Sequence, residues 1–209
     1  MIIVTVASSK GGVGKSTLAS ALAVRASMDG KRVALIDADL QGSLKFWWHA
    51  RGEPDNPQLR EVDCTAEGLA LVAAEGWDWV FIDTPPALVE DIQQAVSVAD
   101  FVLMPARPSA LDLMAIGTSV QICAECEKPY AFVLNQADAK WQLSASAAKE
   151  LASYGPMLAT VISFRLAYAA AATRGRSGPE VERGNACAAE IDALWVELNA
   201  HIRKAVRRT

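Results

Sequence analysis

The sequence predicts an α/β domain with a mostly parallel sheet flanked by helices on both faces. Short apolar runs rich in Val and Ile recur at 2–7, 33–37, 79–83, 101–105, 131–135 and 158–163. Their near-continuous apolar character suits strands buried on both faces. Stretches of helical period separate the runs, and strand–helix alternation is the mark of a parallel sheet joined by crossovers. Polar and Gly-rich segments follow several of the runs, at the carboxyl ends of strands where such sheets bind ligands.

The elements follow in order. The strand at 2–7 leads through a Gly-rich loop into a helix at 16–28, and the strand at 33–37 ends in Asp37. Residues 59–64 are expected as an edge strand, with a helix at 66–74 behind it. The later strands alternate with helices at 89–98, 111–123 and 145–154, and a helix at 186–206 closes the chain. Trp47 and Trp48 fall on a further helical stretch, either as core or as an exposed patch for a partner. No repeat, low-complexity tract or Gly/Ser linker interrupts the 209 residues, so 1–209 is expected as a single domain.

Composition excludes several classes. With 52% hydrophobic and 21% charged residues, the chain is neither disordered nor fibrous. No apolar run reaches the roughly 18–20 residues that cross a bilayer. The opening MIIVTVASSK puts its apolar run before any basic residue, the reverse of a signal peptide, so a cytoplasmic protein is expected. A net charge of −4 argues against a globally basic nucleic-acid binder and leaves room for a local patch. Cys64, Cys123, Cys126 and Cys187 are too few and too scattered for a disulfide scaffold.

Ser9-Lys10-Gly11-Gly12-Val13-Gly14-Lys15-Ser16-Thr17 stands between the first strand and the first helix. Glycines let the backbone curl until several N–H groups face one anion, and the helix dipole adds to their attraction. In such a loop Lys15 reaches the β- and γ-phosphates and the Ser16 hydroxyl holds Mg2+. The strict Walker A pattern has Gly where this chain has Ser9. Asp37 and Asp39 close the second strand two residues apart, so both carboxylates share a face and converge on the loop. Val80-Phe81-Ile82-Asp83 is an apolar strand ending in a carboxylate, the Walker B arrangement, with Asp83 on hydrated Mg2+ or as a strand-end turn former. Asn135-Gln136-Ala137-Asp138 ends another strand; it is similar to the N-K-x-D guanine reader with Gln136 in place of Lys, or is a plain Asx turn.

The loop resembles the deviant Walker A motif, KGGxGK[ST], of the ParA/MinD family of ATPases. The resemblance implies a P-loop NTPase fold, with ATP and Mg2+ bound by each monomer and two monomers closing face to face. It implies that Lys10 crosses that interface to the partner's nucleotide, acting like an arginine finger in trans, where the residue alone reads as a solvated lysine. Asp37-Ala38-Asp39-Leu40-Gln41 looks like the family's second motif, in which Asp39 positions the attacking water and Asp37 supports the Mg2+ shell. Thr84-Pro85-Pro86 resembles the switch that senses the γ-phosphate, and Asn135 matches the position that contacts adenine.

The resemblance continues through 164–182 and the closing helix, and is nearest to small ParA-type partition ATPases without an N-terminal helix-turn-helix. A ParB-like activating partner, nonspecific DNA as track and an association with the nucleoid are expected with it. Arg203, Lys204, Arg207 and Arg208, together with Arg165, Arg174, Arg176 and Arg183, supply local positive charge for DNA phosphates or form an ordinary solvated surface. Two alternatives remain. Leu194, Leu198, Ile202 and Val206 beside Arg203 and Arg207 suit a MinD-like tail on anionic lipid, although Ile191 and Trp195 extend the stripe as a core-docked helix would. Cys123 and Cys126 suit an iron–sulfur or metal carrier, or are two plain thiols beside Glu125 and Glu127.

Overall fold

The computed structural model describes residues 1–86, 89–114, 116–138, 142–181 and 186–207. Its strands are β1 (Ile2–Val6), β2 (Val33–Asp37), β3 (Gln58–Leu59), β4 (Trp79–Asp83), β5 (Phe101–Ala106), β6 (Tyr130–Ala137) and β7 (Met157–Ser163). They form one sheet in the order β3-β2-β4-β1-β5-β6-β7, and every neighbouring pair is parallel.

Period-two alternation sends side chains to two separate cores. Val4, Leu35, Phe81, Leu103 and Val133 face α1 (Lys15–Met28), α2 (Ser43–Ala50) and α9 (Ala186–Val206). On the other face, Ala34, Ile36, Val80 and Ile82 meet α3 (Ala66–Ala74). There too, Val102, Met104, Phe132 and Leu134 meet α4 (Val89–Ser97), α6 (Ile116–Glu125) and α7 (Gln142–Tyr154). Short helices α5 (Ala110–Leu113) and α8 (Leu166–Ala172) lie in the connections. Because both faces are covered, the central strands β1, β2, β4 and β5 are apolar along most of their length, which is what made them legible.

Three expectations need correction. The edge strand expected at 59–64 is only Gln58–Leu59. Arg60 N still donates to Leu35 O, but the chain must then turn for α3, whose Gly68 N–H is capped by the Thr65 hydroxyl at 3.1 Å. The helix expected at 111–123 is divided into α5 and α6, with Gly117, a weak helix former, in the first turn of the second. Helix α8 was not foreseen: LAYAAAA has no apolar stripe from which to read a period.

Helix α9 is docked on the domain. Ile191, Leu194, Trp195, Leu198 and Ile202 are buried, and the Trp195 ring meets Trp79 at 4.7 Å between centroids. The stripe that suggested a lipid-binding tail is therefore core as far as Ile202. No helix among the described residues is long and apolar enough to cross a membrane. Trp47 is core as well, whereas Trp48 is half-buried with its Nε1 donating to Pro57 O.

The same helix covers the β7 edge. Glu197 Oε1 accepts from Ala159 N at 2.6 Å, and Oε2 accepts from Thr160 N at 2.9 Å and Thr160 Oγ1 at 2.7 Å. Such contacts occupy N–H groups that an edge strand otherwise leaves open. Burial works against ionisation of Glu197, but these donors outweigh it and hold the carboxyl below the usual glutamate range. A depressed folded-state pKa gives stability above the unfolded value, about 4.3, that is lost as pH falls through the folded value. Glu197→Gln should lower the urea midpoint at pH 7, and the gap to the parent should close on acidification below about pH 4.3.

Candidate functional site

The loop after β1 is shaped by two glycines with positive φ, Gly12 at +73° and Gly14 at +91°. Gly14 is the left-handed N-cap of α1 and provides no side chain, so the first N–H groups of the helix are left for a ligand. A Cβ on Gly14 would collide with Asn135 Nδ2, so only glycine fits. The loop is braced from β6. Asn135 Nδ2 donates to Val13 O at 2.6 Å, and Gln136 Nε2 donates to Gly12 O at 2.8 Å. Asn135 is buried, and its Oδ1 accepts from Gln136 N at 2.9 Å. Its amide thus supports the loop, a duty that the adenine-contacting expectation did not include. Gln136 as a brace had no signal in the sequence, since its own φ of 52° is what turns its amide to the loop.

Lys15 is buried and curls back, its Nζ donating to Lys10 O at 3.1 Å. Burial pushes its ammonium below the ordinary lysine pKa, with the charges of Asp83 and Asp39 opposing. Lys10 is half-buried at the start of the loop, and among the described residues it forms no ion pair. Val13 is buried beneath the loop.

The carboxylates stand at neighbouring strand ends, where β2 and β4 pair Asp37 with Asp83. Asp37 Oδ1 accepts from Asp39 N at 3.1 Å and Oδ2 from Lys45 N at 2.8 Å, so it holds both the turn and the first turn of α2. Burial pushes Asp37 up, against its backbone donors. Asp39 Oδ1 accepts from Gln41 N at 2.9 Å. Asp83 differs from both. It is fully buried, and among the described residues neither oxygen has a hydrogen-bond partner of ordinary geometry. Burial pushes it up to about 7, aided by Asp37 and Asp39 and opposed by the nearby Ser16 hydroxyl and Lys15. A buried carboxylate without a partner is costly and marks a place meant for something else. A hydrated hard cation held by oxygens suits it, with the Ser16 hydroxyl alongside.

A cavity of ≈ 350 Å³ is lined by Gly11, Gly12, Gly14, Lys15, Ser16 and Thr17, with Asp39, Gln41, Ser43, Pro86 and Gln136 opposite. A second, of ≈ 140 Å³, shares Gly14, Thr17 and Gln136 with the first and is walled by Asn135, Ile162, Phe164, Tyr168 and Ala169. The fold thus brings the loop, Asp39 and Asn135 around one composite pocket, with Asp37 and Asp83 at the adjacent strand ends. Thr84 is buried behind it, its hydroxyl donating to Val6 O at 3.1 Å.

The cationic tail is elsewhere. Arg203, Lys204 and Arg207 are exposed, and Lys204 lies by Phe101, Pro129 and Pro156, at the amino ends of the strands. Arg183 and Arg208 lie outside the described residues. Arg165 is engaged by Glu190, with Nη2 to Oε1 at 2.9 Å. Of the CxxC pair, Cys123 is buried and its thiol is pushed up to about 12, while Cys126 is half-buried and also raised by burial. Neither has the low-pKa setting of a reactive thiol.

Known proteins share this architecture. The family model of the CobQ/CobB/MinD/ParA nucleotide binding domain matches residues 4–178. Maintenance of carboxysome distribution protein A of Halothiobacillus neapolitanus is 32% identical over 205 residues, covering 92% of this chain and 94% of that protein. Protein ParA of Rhizobium radiobacter is 35% identical over 132 residues, 61% of this chain and 59% of its own. The septum site-determining protein MinD of Pyrococcus horikoshii, solved with Mg-ADP, superposes with a TM-score of 0.75 at 17% identity, over 95% of this chain and 96% of that one. At that identity the structural likeness is one of fold.

The unpartnered Asp83 yields a test. Asp83→Asn should raise the melting temperature of the protein without nucleotide or Mg2+, because a buried, unsatisfied ionisable group is removed. The same variant should lose the further rise that Mg2+ adds in the presence of ADP, read by differential scanning fluorimetry.

Proposed function

The chain belongs to the CobQ/CobB/MinD/ParA nucleotide binding domain family, and on that footing we propose that it is a ParA-like ATPase whose dimer forms on MgATP and moves a cargo. The observation that carries this reading is Asp83, buried and unpartnered behind a glycine loop that leaves the helix N–H groups open. The backbone of Gly11 to Thr17 cradles the phosphates, and Lys15 neutralises charge at the β- and γ-phosphates. Ser16 and Asp83 hold Mg2+, which screens phosphate charge, and Asp37 fixes the turn that carries Asp39. Asp39 orients the water that attacks the γ-phosphorus as the bond to the β–γ bridging oxygen breaks. The adenine base lies in the second cavity against Phe164 and Tyr168. Lys10 reaches the nucleotide of the partner protomer, so charge at the transition state is neutralised only in the dimer.

Nonspecific DNA is the track we propose, held through Arg203, Lys204, Arg207 and Arg208. A ParB-like partner stimulates hydrolysis and releases the dimer from the nucleoid. Likeness to a carboxysome distribution protein favours a large protein assembly as cargo, with plasmid or chromosome partition as the other members of the class. With the apolar stripe of α9 in the core, the lipid-tail alternative loses the feature that motivated it.

Three single variants separate the steps. Lys15→Ala should abolish ATP binding in calorimetry. Lys10→Ala should bind ATP as a monomer with turnover lost, whereas Asp39→Ala should bind ATP and accumulate as a dimer on size exclusion. Lys10→Ala that dimerises and hydrolyses normally would refute the trans role.

Neutralising Arg203, Lys204, Arg207 and Arg208 together should weaken DNA binding and leave ATP-driven dimerisation intact. A dimer offers up to about eight such contacts, and each one lost should flatten the slope of log affinity against log salt by about 0.9. The measurement is a salt titration with a non-hydrolysable ATP analogue. An unchanged slope puts the DNA site elsewhere, and binding to anionic vesicles instead of DNA would favour the membrane alternative.

A further inference from the structure

Helix α2 leads away from the phosphate cavity toward the segment that carries Glu180. At its amino end, Gln41 and Ser43 line the phosphate cavity beside Asp39, and Lys45 N is held by Asp37. Eight residues of helix, about 12 Å, lead to Arg51 at the other end. The Arg51 guanidinium forms a two-pronged ion pair with Glu180, Nη1 to Oε2 at 2.7 Å and Nη2 to Oε1 at 2.8 Å. Nη1 also donates to Gly175 O at 2.9 Å, and the cation stands 5.4 Å from the centre of the Trp47 ring. Trp47 Nε1 donates to Arg176 O at 3.0 Å. Glu180 continues the chain of contacts, its Oε2 accepting from Ser177 N at 3.0 Å and Ser177 Oγ at 3.2 Å.

Backbone packing leaves this junction no slack. A Cβ on Gly175, whose φ is +62°, would collide with the backbone of Arg51. A Cβ on Gly178 would come within 2.7 Å of Tyr168 Cε1. Tyr168 is itself a wall of the second cavity. One continuous set of contacts therefore runs from the carboxylate turn, along α2, through Arg51 and Glu180, to Tyr168.

Stability alone is a weak reason for that ion pair. Both side chains are about four-fifths buried, with relative exposures of 18% and 21%, and Arg51 Nε is buried without a partner. Apolar side chains of similar volume often match or exceed a buried pair in stability, whereas a two-pronged pair fixes geometry. We propose that Arg51 and Glu180 are positioning residues for nucleobase recognition, clamping the Tyr168 wall of the base cavity to the helix that carries the phosphate cavity's far wall. The proposal rests on the reading that the second cavity takes the base. Through this clamp the base contributes affinity that a bare polyphosphate does not obtain.

The experiment compares MgATP with magnesium tripolyphosphate, which fills only the phosphate cavity, by isothermal titration calorimetry. The double variant Arg51→Met/Glu180→Met removes both charges together and leaves no lone buried ion. It should bind MgATP at least tenfold more weakly and tripolyphosphate within twofold of the parent. Trp47→Phe keeps the ion pair, removes the bond to Arg176 O and trims the ring beneath the Arg51 cation, and should shift the same ratio in the same direction by threefold or more. This second variant decides the matter if the double variant fails to fold. Unchanged MgATP affinity, or equal weakening of both ligands, would overturn the clamp. A parent protein that binds the two ligands equally would instead overturn the base-cavity reading, and the clamp with it.

Discussion

At Gly14 the backbone turns with φ of +91° between the exit of β1 and the first residue of α1, hard against the amide of Asn135. That close approach determines much of what surrounds it. It lets Asn135 and Gln136 grip two carbonyls of the loop, which fixes a segment without regular structure against β6. It opens α1 without a side-chain cap, which directs the helix N–H groups at the cavity. It also ties the two halves of the sheet together, since Asn135 belongs to β6 and the loop springs from β1, with β5 between them.

The pocket gathers charged groups in settings that burial makes unfavourable. Asp83 has no hydrogen bond of ordinary geometry among the described residues, Lys15 is desolvated against a carbonyl of its own loop, and Asp37 is pushed up by burial. Each group is unfavourable where it stands, and the three unfavourable settings are complementary to a polyphosphate with its cation. Binding energy from such a ligand becomes stability of the fold by mass action. Under the proposed reading, the residues that burial disfavours most are the ones given a chemical task.

The parts that the sequence made legible are those governed by local pattern. Strands at Val33–Asp37 and Trp79–Asp83, and helices at Ala66–Ala74 and Ala186–Val206, agree with their expected bounds because an apolar run or a helical period marks each. The loop from Lys10 to Thr17, with Asp39 and Asp83, stood out because a glycine-rich loop between strand and helix is followed in order by strand-end carboxylates. What stayed hidden depends on partners far apart in the chain. Gln136 meets Gly12 across 124 residues, and Arg51 meets Glu180 across 129. Helix α8 has too many alanines to show a face, and β3 ends early because the Thr65 cap requires the chain to turn.

The carboxylates of α9 along β7 bear on how copies of this protein can associate. With Ala159 N and Thr160 N already engaged by Glu197, and Ser163 N by Glu190, another molecule finds no row of free amides to pair with. The opposite margin, β3, is two residues long and offers little more. Edge-to-edge growth of the sheet is thus opposed on both sides. Side-chain surfaces are left as the route for self-association, and a contact there closes at a pair when it is two-fold.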